Sequence, residues 1–231
     1  MMLRPFLQMI HNLMARNSNP AVLSGDIIVE ESIRKLVLES RDLIMRVWVH
    51  YDFMLLAYLF GDYDRAWEEG TFTRIVRHFP MTDPDIANVV FMECLSSLAL
   101  CRHPLTSKRR HLSNARGCIK FVKRLAVHSP HNCLGKLHLM QAELASTTGN
   151  DSRALAKFMC AIALFADSGM LMYGALANEL AGRHFIRLGN QYEAAEYLQR
   201  ALSSWCCWEA DAKVLHFRKE FPSIVLLEHE L

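Results

Sequence analysis

Four potential metal ligands, His128, His131, Cys133 and His138, gather within eleven residues around Ser129-Pro130. Imidazole nitrogen and thiolate sulfur suit zinc. A structural zinc site, however, usually draws paired ligands from two separated loops, and the chain holds neither a Cys-x2-Cys pair nor a His-Glu-x-x-His run. The stretch is expected to be a polar loop between two helical hairpins, and neither a metal nor a cofactor is expected.

Seven cysteines and eleven histidines also raise nucleophilic thiol chemistry, yet no cysteine stands in a catalytic sequence context. Cys160 lies among Phe158, Met159, Ile162 and Leu164, and Cys206-Cys207 sits between Trp205 and Trp208, neighbours that suit small apolar packing. Asp62-x-Asp64 has the spacing that opens a calcium loop, but Trp67 stands at the sixth position, where such a loop needs glycine. Lys108-Arg109-Arg110-His111, followed by Arg116, Lys120, Lys123 and Arg124, forms a basic stripe, with 109, 116, 120 and 123 on one helix face. A solvated outer face is the ordinary use of such a stripe, so no nucleic acid is expected as a partner. Trp67, Trp205 and Trp208 would anchor a partner if exposed, and belong to the core otherwise. No Gly-x4-Gly-Lys-Ser/Thr loop, Gly-x-Gly-x-x-Gly turn or kinase catalytic loop occurs. The chain is therefore expected to carry no catalytic residue and to be no enzyme.

The elements that would position these residues read as helices. Apolar-periodic segments of about 15 to 20 residues are separated by Pro20, Pro80, Pro84, Pro104, Pro130 and Pro222, and strand signals are nearly absent. The pattern predicts helices near 4–16, 29–40, 42–60, 63–78, 84–102, 106–128, 134–148, 151–167, 171–188, 191–206 and 210–220.

Composition bounds the class. The 231 residues are 52% hydrophobic and 22% charged, which suits a folded chain with a sizeable core. The net charge of +2 gives no field that would imply a polyanion partner. The most apolar window, 43–60, contains Arg46, His50 and Asp52, so no membrane span is expected. The odd cysteine count shows no disulfide framework and fits a reducing, cytoplasmic compartment. The N-terminal stretch through Arg16 lacks acidic residues and superficially has a transit-peptide composition, while Pro5, Gln8, His11 and Asn12 interrupt the run a secretory signal needs.

Aligning the glycines exposes an internal repeat. Gly149-Asn150-Asp151-Ser152-Arg153-Ala154 and Gly189-Asn190-Gln191-Tyr192-Glu193-Ala194 lie 40 residues apart, and each reaches a second alanine, Ala161 or Ala201, seven residues later. Gly61-Asp62-Tyr63-Asp64-Arg65-Ala66 is a third copy with Thr73 in place of the second alanine. A glycine after an apolar helix can take positive φ and end it, and the following Asn or Asp caps the next helix. Alanines one and three turns into the second helix let the paired backbones approach. Hairpins of this kind bury both faces only by stacking.

The run Leu188-Gly-Asn-Gln-Tyr-Glu-Ala-Ala-Glu-Tyr-Leu-Gln-Arg-Ala-Leu202 resembles the turn and second helix of a tetratricopeptide repeat, although the 40-residue spacing exceeds that family's usual 34 or so. A closer resemblance is to the helical region of large sensor kinases, between an AAA-type ATPase module and later GAF and histidine-kinase modules. Ala175-Leu-Ala-Asn-Glu-Leu-Ala181 is similar to its penultimate helix, Tyr58-Leu-Phe-Gly-Asp-Tyr-Asp-Arg-Ala66 to its early hairpin, and Trp208-Glu-Ala-Asp-Ala-Lys-Val214 to its closing element. Leu13-Met14 and Asn19-Pro20-Ala-Val-Leu-Ser-Gly25 resemble its opening segment. Where that region has Trp-Gly-Ala, this chain has Trp208-Glu209-Ala210.

The resemblance implies an all-α, tetratricopeptide-like solenoid of antiparallel helix pairs over 1–231. It would have irregular lead-in helices over 1–41, hairpin repeats over 42–208, five pairs in all, and a C-terminal cap over 209–231. It implies a non-catalytic protein-binding scaffold in signal transduction, partnered by ATPase or kinase modules. The alternative is a fragment of a multidomain enzyme whose catalytic domains lie elsewhere.

Overall fold

A computed structural model describes residues 3–78 and 85–222. Among these residues there is no strand, and eleven α-helices and one 3-10 turn hold most of the chain. Pro80 and Pro84, the expected start of a helix at 84, residues 1–2 of the lead-in and residues 223–231 of the cap lie outside the described residues.

The chain packs as two compact units, Met1–Ser129 and Pro130–Leu231. The first holds α1 (Leu3–Leu13), α2 (Glu30–Glu39), α3 (Leu43–Leu59), α4 (Tyr63–Thr73) with a 3-10 extension (Arg74–His78), α5 (Ile86–Leu100) and α6 (Lys108–His128). The second holds α7 (Pro130–Thr147), α8 (Asp151–Asp167), α9 (Leu171–Arg187), α10 (Gln191–Cys207) and α11 (Asp211–Glu220).

In the first unit α3 pairs with α4 and α5 with α6, α4 also packs on α5, and α1 and α2 lie against α3. The helix α5 is apolar nearly all round and is buried over most of its length, as an inner helix must be. By contrast α6 is amphipathic, burying His111, Ala115, Cys118, Phe121, Val122, Leu125 and Ala126. In the second unit α7 pairs with α8, α9 with α10, and α11 closes on α10. The described residues thus contain four helix pairs where five were expected. The missing one is α1 with α2, because α1 uses its buried side on α3 and on the loop that follows it.

That loop is pinned by side chains, since a segment with no regular structure must satisfy its backbone some other way. Gln8 and Asn12 are fully buried. Gln8 Oε1 accepts the Ile27 N–H at 2.9 Å, and Asn12 Nδ2 donates to the Val22 carbonyl at 2.6 Å. The polar residues that broke the apolar run in the sequence therefore shape the path from α1 to α2.

Candidate functional site

Gly61, Gly149 and Gly189 have φ of +84°, +78° and +76°. A Cβ at any of them would meet no atom within 4 Å, so the demand for glycine there is conformational and not steric. In each turn the residue after glycine donates its N–H five residues back, Asp62 to Ala57, Asn150 to Ala145 and Asn190 to Phe185, at 2.9, 2.9 and 3.0 Å. The same residue then caps the next helix: side-chain oxygens of Asp62, Asn150 and Asn190 accept the N–H of Arg65, Arg153 and Glu193. This cap is the use to which the Asp62-x-Asp64 pair is put.

Ala66, Ala154, Ala161, Ala194 and Ala201 are all buried, at 0–1% exposure, and Thr73 is equally buried in the third copy. Around them α8 and α10 bury the same four positions, Ala154, Phe158, Ala161 and Phe165 in one and Ala194, Leu198, Ala201 and Trp205 in the other. The facing helices supply glycine where the fit is tightest. A Cβ on Gly135 would stand 2.5 Å from the Phe165 ring, and one on Gly182 would stand 2.6 Å from Leu198 Cγ and 3.3 Å from the Ala194 carbonyl oxygen.

Two further turns share this geometry and lack the Gly-Asn/Asp signature. Gly169 (φ +66°) joins α8 to α9, and Glu209 (φ +57°) joins α10 to α11, with Met170 and Ala210 donating back to Phe165 and Trp205. Positions 149, 169, 189 and 209 are therefore twenty residues apart, and α8, α9 and α10 are each 17 residues long. The tight turn left open by Trp208-Glu209-Ala210 is kept, with glutamate in the left-handed region.

Buried charge concentrates around Glu179 in the second unit and around Glu69 and Glu93 in the first, none of which the sequence pattern singles out. In the second unit Glu179 accepts from Arg183 at 2.8 Å, Lys213 at 3.0 Å and the Trp205 indole N–H at 3.0 Å. Burial pushes this carboxyl up, but the Lys213 and Arg183 charges outweigh it and hold its pKa at about 2. Trp205 is thus core, its N–H satisfied in place. Nearby Ser146 Oγ and His184 Nδ1 are 2.9 Å apart, with Asp151 Oδ1 3.9 Å from His184 Nε2. These are the residue types of a nucleophilic triad. Arg187, however, donates to the same hydroxyl at 2.8 Å, and the Asp151 contact exceeds hydrogen-bond range, so the trio acts as a tie among α7, α8 and α9.

In the first unit Glu69 is held by His50 Nδ1 at 2.7 Å and by Arg34 at 2.5 Å, and Arg34 also reaches Glu30. Burial raises the Glu69 carboxyl, and the His50 and Arg34 hydrogen bonds bring it below its ordinary value. Glu93 is bound by Arg74 at 2.8 Å and by Arg77, which also touches Cys118 Sγ at 3.0 Å. Asp52 is different. It is 5% exposed, no hydrogen bond or ion pair holds it among the described residues, and burial alone pushes its carboxyl up to about 8.

The other candidates are not assembled into sites. His128 is exposed at the end of α6; His131, exposed, and Cys133, buried, lie in the first turn of α7, which begins at Pro130 and replaces the loop expected there. His138 Nδ1 faces Lys157 Nζ at 3.0 Å. Among the described residues no three His, Cys, Asp or Glu side chains form a metal-holding group. Cys94, Cys101, Cys118 and Cys133 are buried, but Cys160, Cys206 and Cys207 are exposed, which corrects the packing role argued for those three. Trp67 is buried beneath the Arg74 guanidinium, 4.5 Å from its ring, and Trp208 is half-buried against Trp205.

Among the described residues no helix is long and apolar enough to cross a membrane. Compared with known proteins, the chain matches no family model, no curated protein and no solved structure.

Proposed function

We propose that this chain is a non-catalytic protein-binding scaffold built from tetratricopeptide-like helical hairpins. Its place would be among the modules of a cytoplasmic signal-transduction kinase, or apart from them as a stand-alone relative. The observation that carries the reading is the recurrence of one hairpin geometry at Gly61, Gly149 and Gly189, with small buried residues at fixed offsets from each. A framework specified by buried small residues leaves its outer positions free to vary, which suits contact with other proteins. The resemblance to the helical region between AAA-type ATPase and GAF or histidine-kinase modules supplies the kind of partner.

The test is direct binding between the purified chain and ATPase or histidine-kinase modules encoded beside it, read by calorimetry. A saturable complex of micromolar affinity or tighter supports the scaffold. Failure to bind any such module would overturn it, as would turnover of ATP by the chain alone. Flanking reading frames separate the two forms of the proposal: a phosphate loop or kinase continuous with this sequence makes it one part of a multidomain enzyme and excludes the stand-alone form.

A further inference from the structure

The helix α6 carries Lys108, Arg109, Arg110, Arg116, Lys120, Lys123 and Arg124 and no Asp or Glu. All seven cations are exposed, and among the described residues none is in an ion pair. The rest of the chain holds 19 Lys and Arg against 24 Asp and Glu, so positive charge is concentrated on this helix within a nearly neutral protein. At 3.6 residues per turn, positions 109, 116, 120 and 123 fall within a sector of about 60°, on a helix about 30 Å long. Val127 is five whole turns from Arg109 and shares that sector, and it is 75% exposed. Leu105, just before the helix, is 88% exposed.

We infer that this face of α6 docks on an anionic lipid bilayer. Its apolar side is committed to the first unit through Ala115, Cys118, Phe121, Val122 and Leu125, so the helix presents a fixed cationic surface. Lys and Arg within a Debye length of an anionic leaflet are attracted to it. Exposed aliphatic residues at both ends of the cationic line suit the boundary between headgroups and acyl chains. They have no counterpart on a phosphate backbone, and the one aromatic residue of α6, Phe121, is buried and offers no base-stacking platform. The same lack of an exposed aromatic on α6 disfavours a protein partner, whose interface would be anchored by such residues.

The experiment is cosedimentation of the full chain with vesicles of about 30% phosphatidylserine in phosphatidylcholine, with pure phosphatidylcholine as the control. The chain is expected to pellet with the anionic vesicles only, and its affinity to fall at least about tenfold between roughly 0.05 and 0.5 M salt. Combining Arg116→Glu, Lys120→Glu and Lys123→Glu lowers vesicle affinity at least about tenfold while the helical circular dichroism is unchanged. If that variant loses its helical signal, Lys123→Glu alone replaces it, with an expected loss of about threefold. Failure of the native chain to pellet with anionic vesicles overturns the inference, as does equal binding by a folded charge-reversed variant. Tighter binding to duplex DNA or polyglutamate than to the vesicles at the same salt would also overturn it.

Discussion

Lys213 Nζ lies 3.0 Å from Glu179 Oε1 across 34 residues of sequence, and only 2% and 4% of the two side chains is exposed. Breaking such a pair leaves a buried charge without its partner. Glu179→Ala is therefore expected to lower stability by about 3 to 5 kcal/mol, and Glu179→Leu with Lys213→Met to cost less than the two single changes together. The pH dependence has a definite sign. The folded carboxyl titrates near 2, below its unfolded value, so its contribution is complete above the ordinary carboxylate range and disappears as pH falls toward 2. Urea midpoints of the native chain and Glu179→Gln across that acid range check this: the native midpoint should fall more steeply than the variant's.

Glu209 occupies the turn position that Gly149, Gly169 and Gly189 occupy at the other twenty-residue steps, at φ +57°. A side chain in the left-handed region costs about 1 kcal/mol, and glycine removes that cost. Glu209→Gly is expected to raise stability by about 1 kcal/mol or slightly less, the greater unfolded-state freedom of glycine offsetting part of the gain. Gly189→Val should lower it by more than about 1 kcal/mol, since a β-branched residue resists positive φ although nothing crowds the site. Chemical denaturation of both variants would expose an error if the two shifts shared a sign.

How much of this was legible follows from the range of the interactions. A turn is local, so glycine, its capping neighbour and the alanines that follow could be read from sequence, and the all-helical class with them. The twenty-residue step was hidden because the residue after Gly169 is Met170, which cannot cap through its side chain, and because the turn after α10 uses Glu209. Helix faces explain the misplaced cysteine. Phe158, Ala161 and Phe165 share the buried face of α8, and Cys160, adjacent to them in sequence, points away. The charged centres were illegible for a different reason. Glu179, Lys213, Glu69 and Arg34 are residue types that signal surface, and their partners arrive from 34 or 35 positions away.

Asp52 has the opposite linkage to Glu179. With its folded pKa raised to about 8, it binds a proton that the unfolded chain has already released, so it lowers stability as pH rises from about 4 to 8. Asp52→Asn removes the titration and keeps the shape. The variant is expected to gain at least about 1 kcal/mol over the native chain at pH 8, with little difference at pH 4. Thermal melts at the two pH values test it, and an equal difference at both would mean that Asp52 is ionised throughout.

A Cβ on Gly182 of α9 would stand 2.6 Å from Leu198 Cγ and 3.3 Å from the Ala194 carbonyl oxygen of α10, and Ala194 itself is buried. Ala154 stands at the corresponding position of α8, with Phe158 one turn on. Both alanines are buried, at 0% and 1% exposure, so Ala154→Leu and Ala194→Leu are each expected to cost about 1 to 3 kcal/mol through overpacking. Gly182→Ala adds one carbon where Leu198 already stands within 2.6 Å, and should cost at least as much as an ordinary exposed Gly→Ala change would gain, about 1 kcal/mol. Tyr192→Leu on the same helix is the matched control, because Tyr192 is 74% exposed and its replacement should stay within about 0.5 kcal/mol. Urea midpoints unchanged for both alanine variants would show that these small residues do not set the helix spacing, and the repeat mechanism would fall with them.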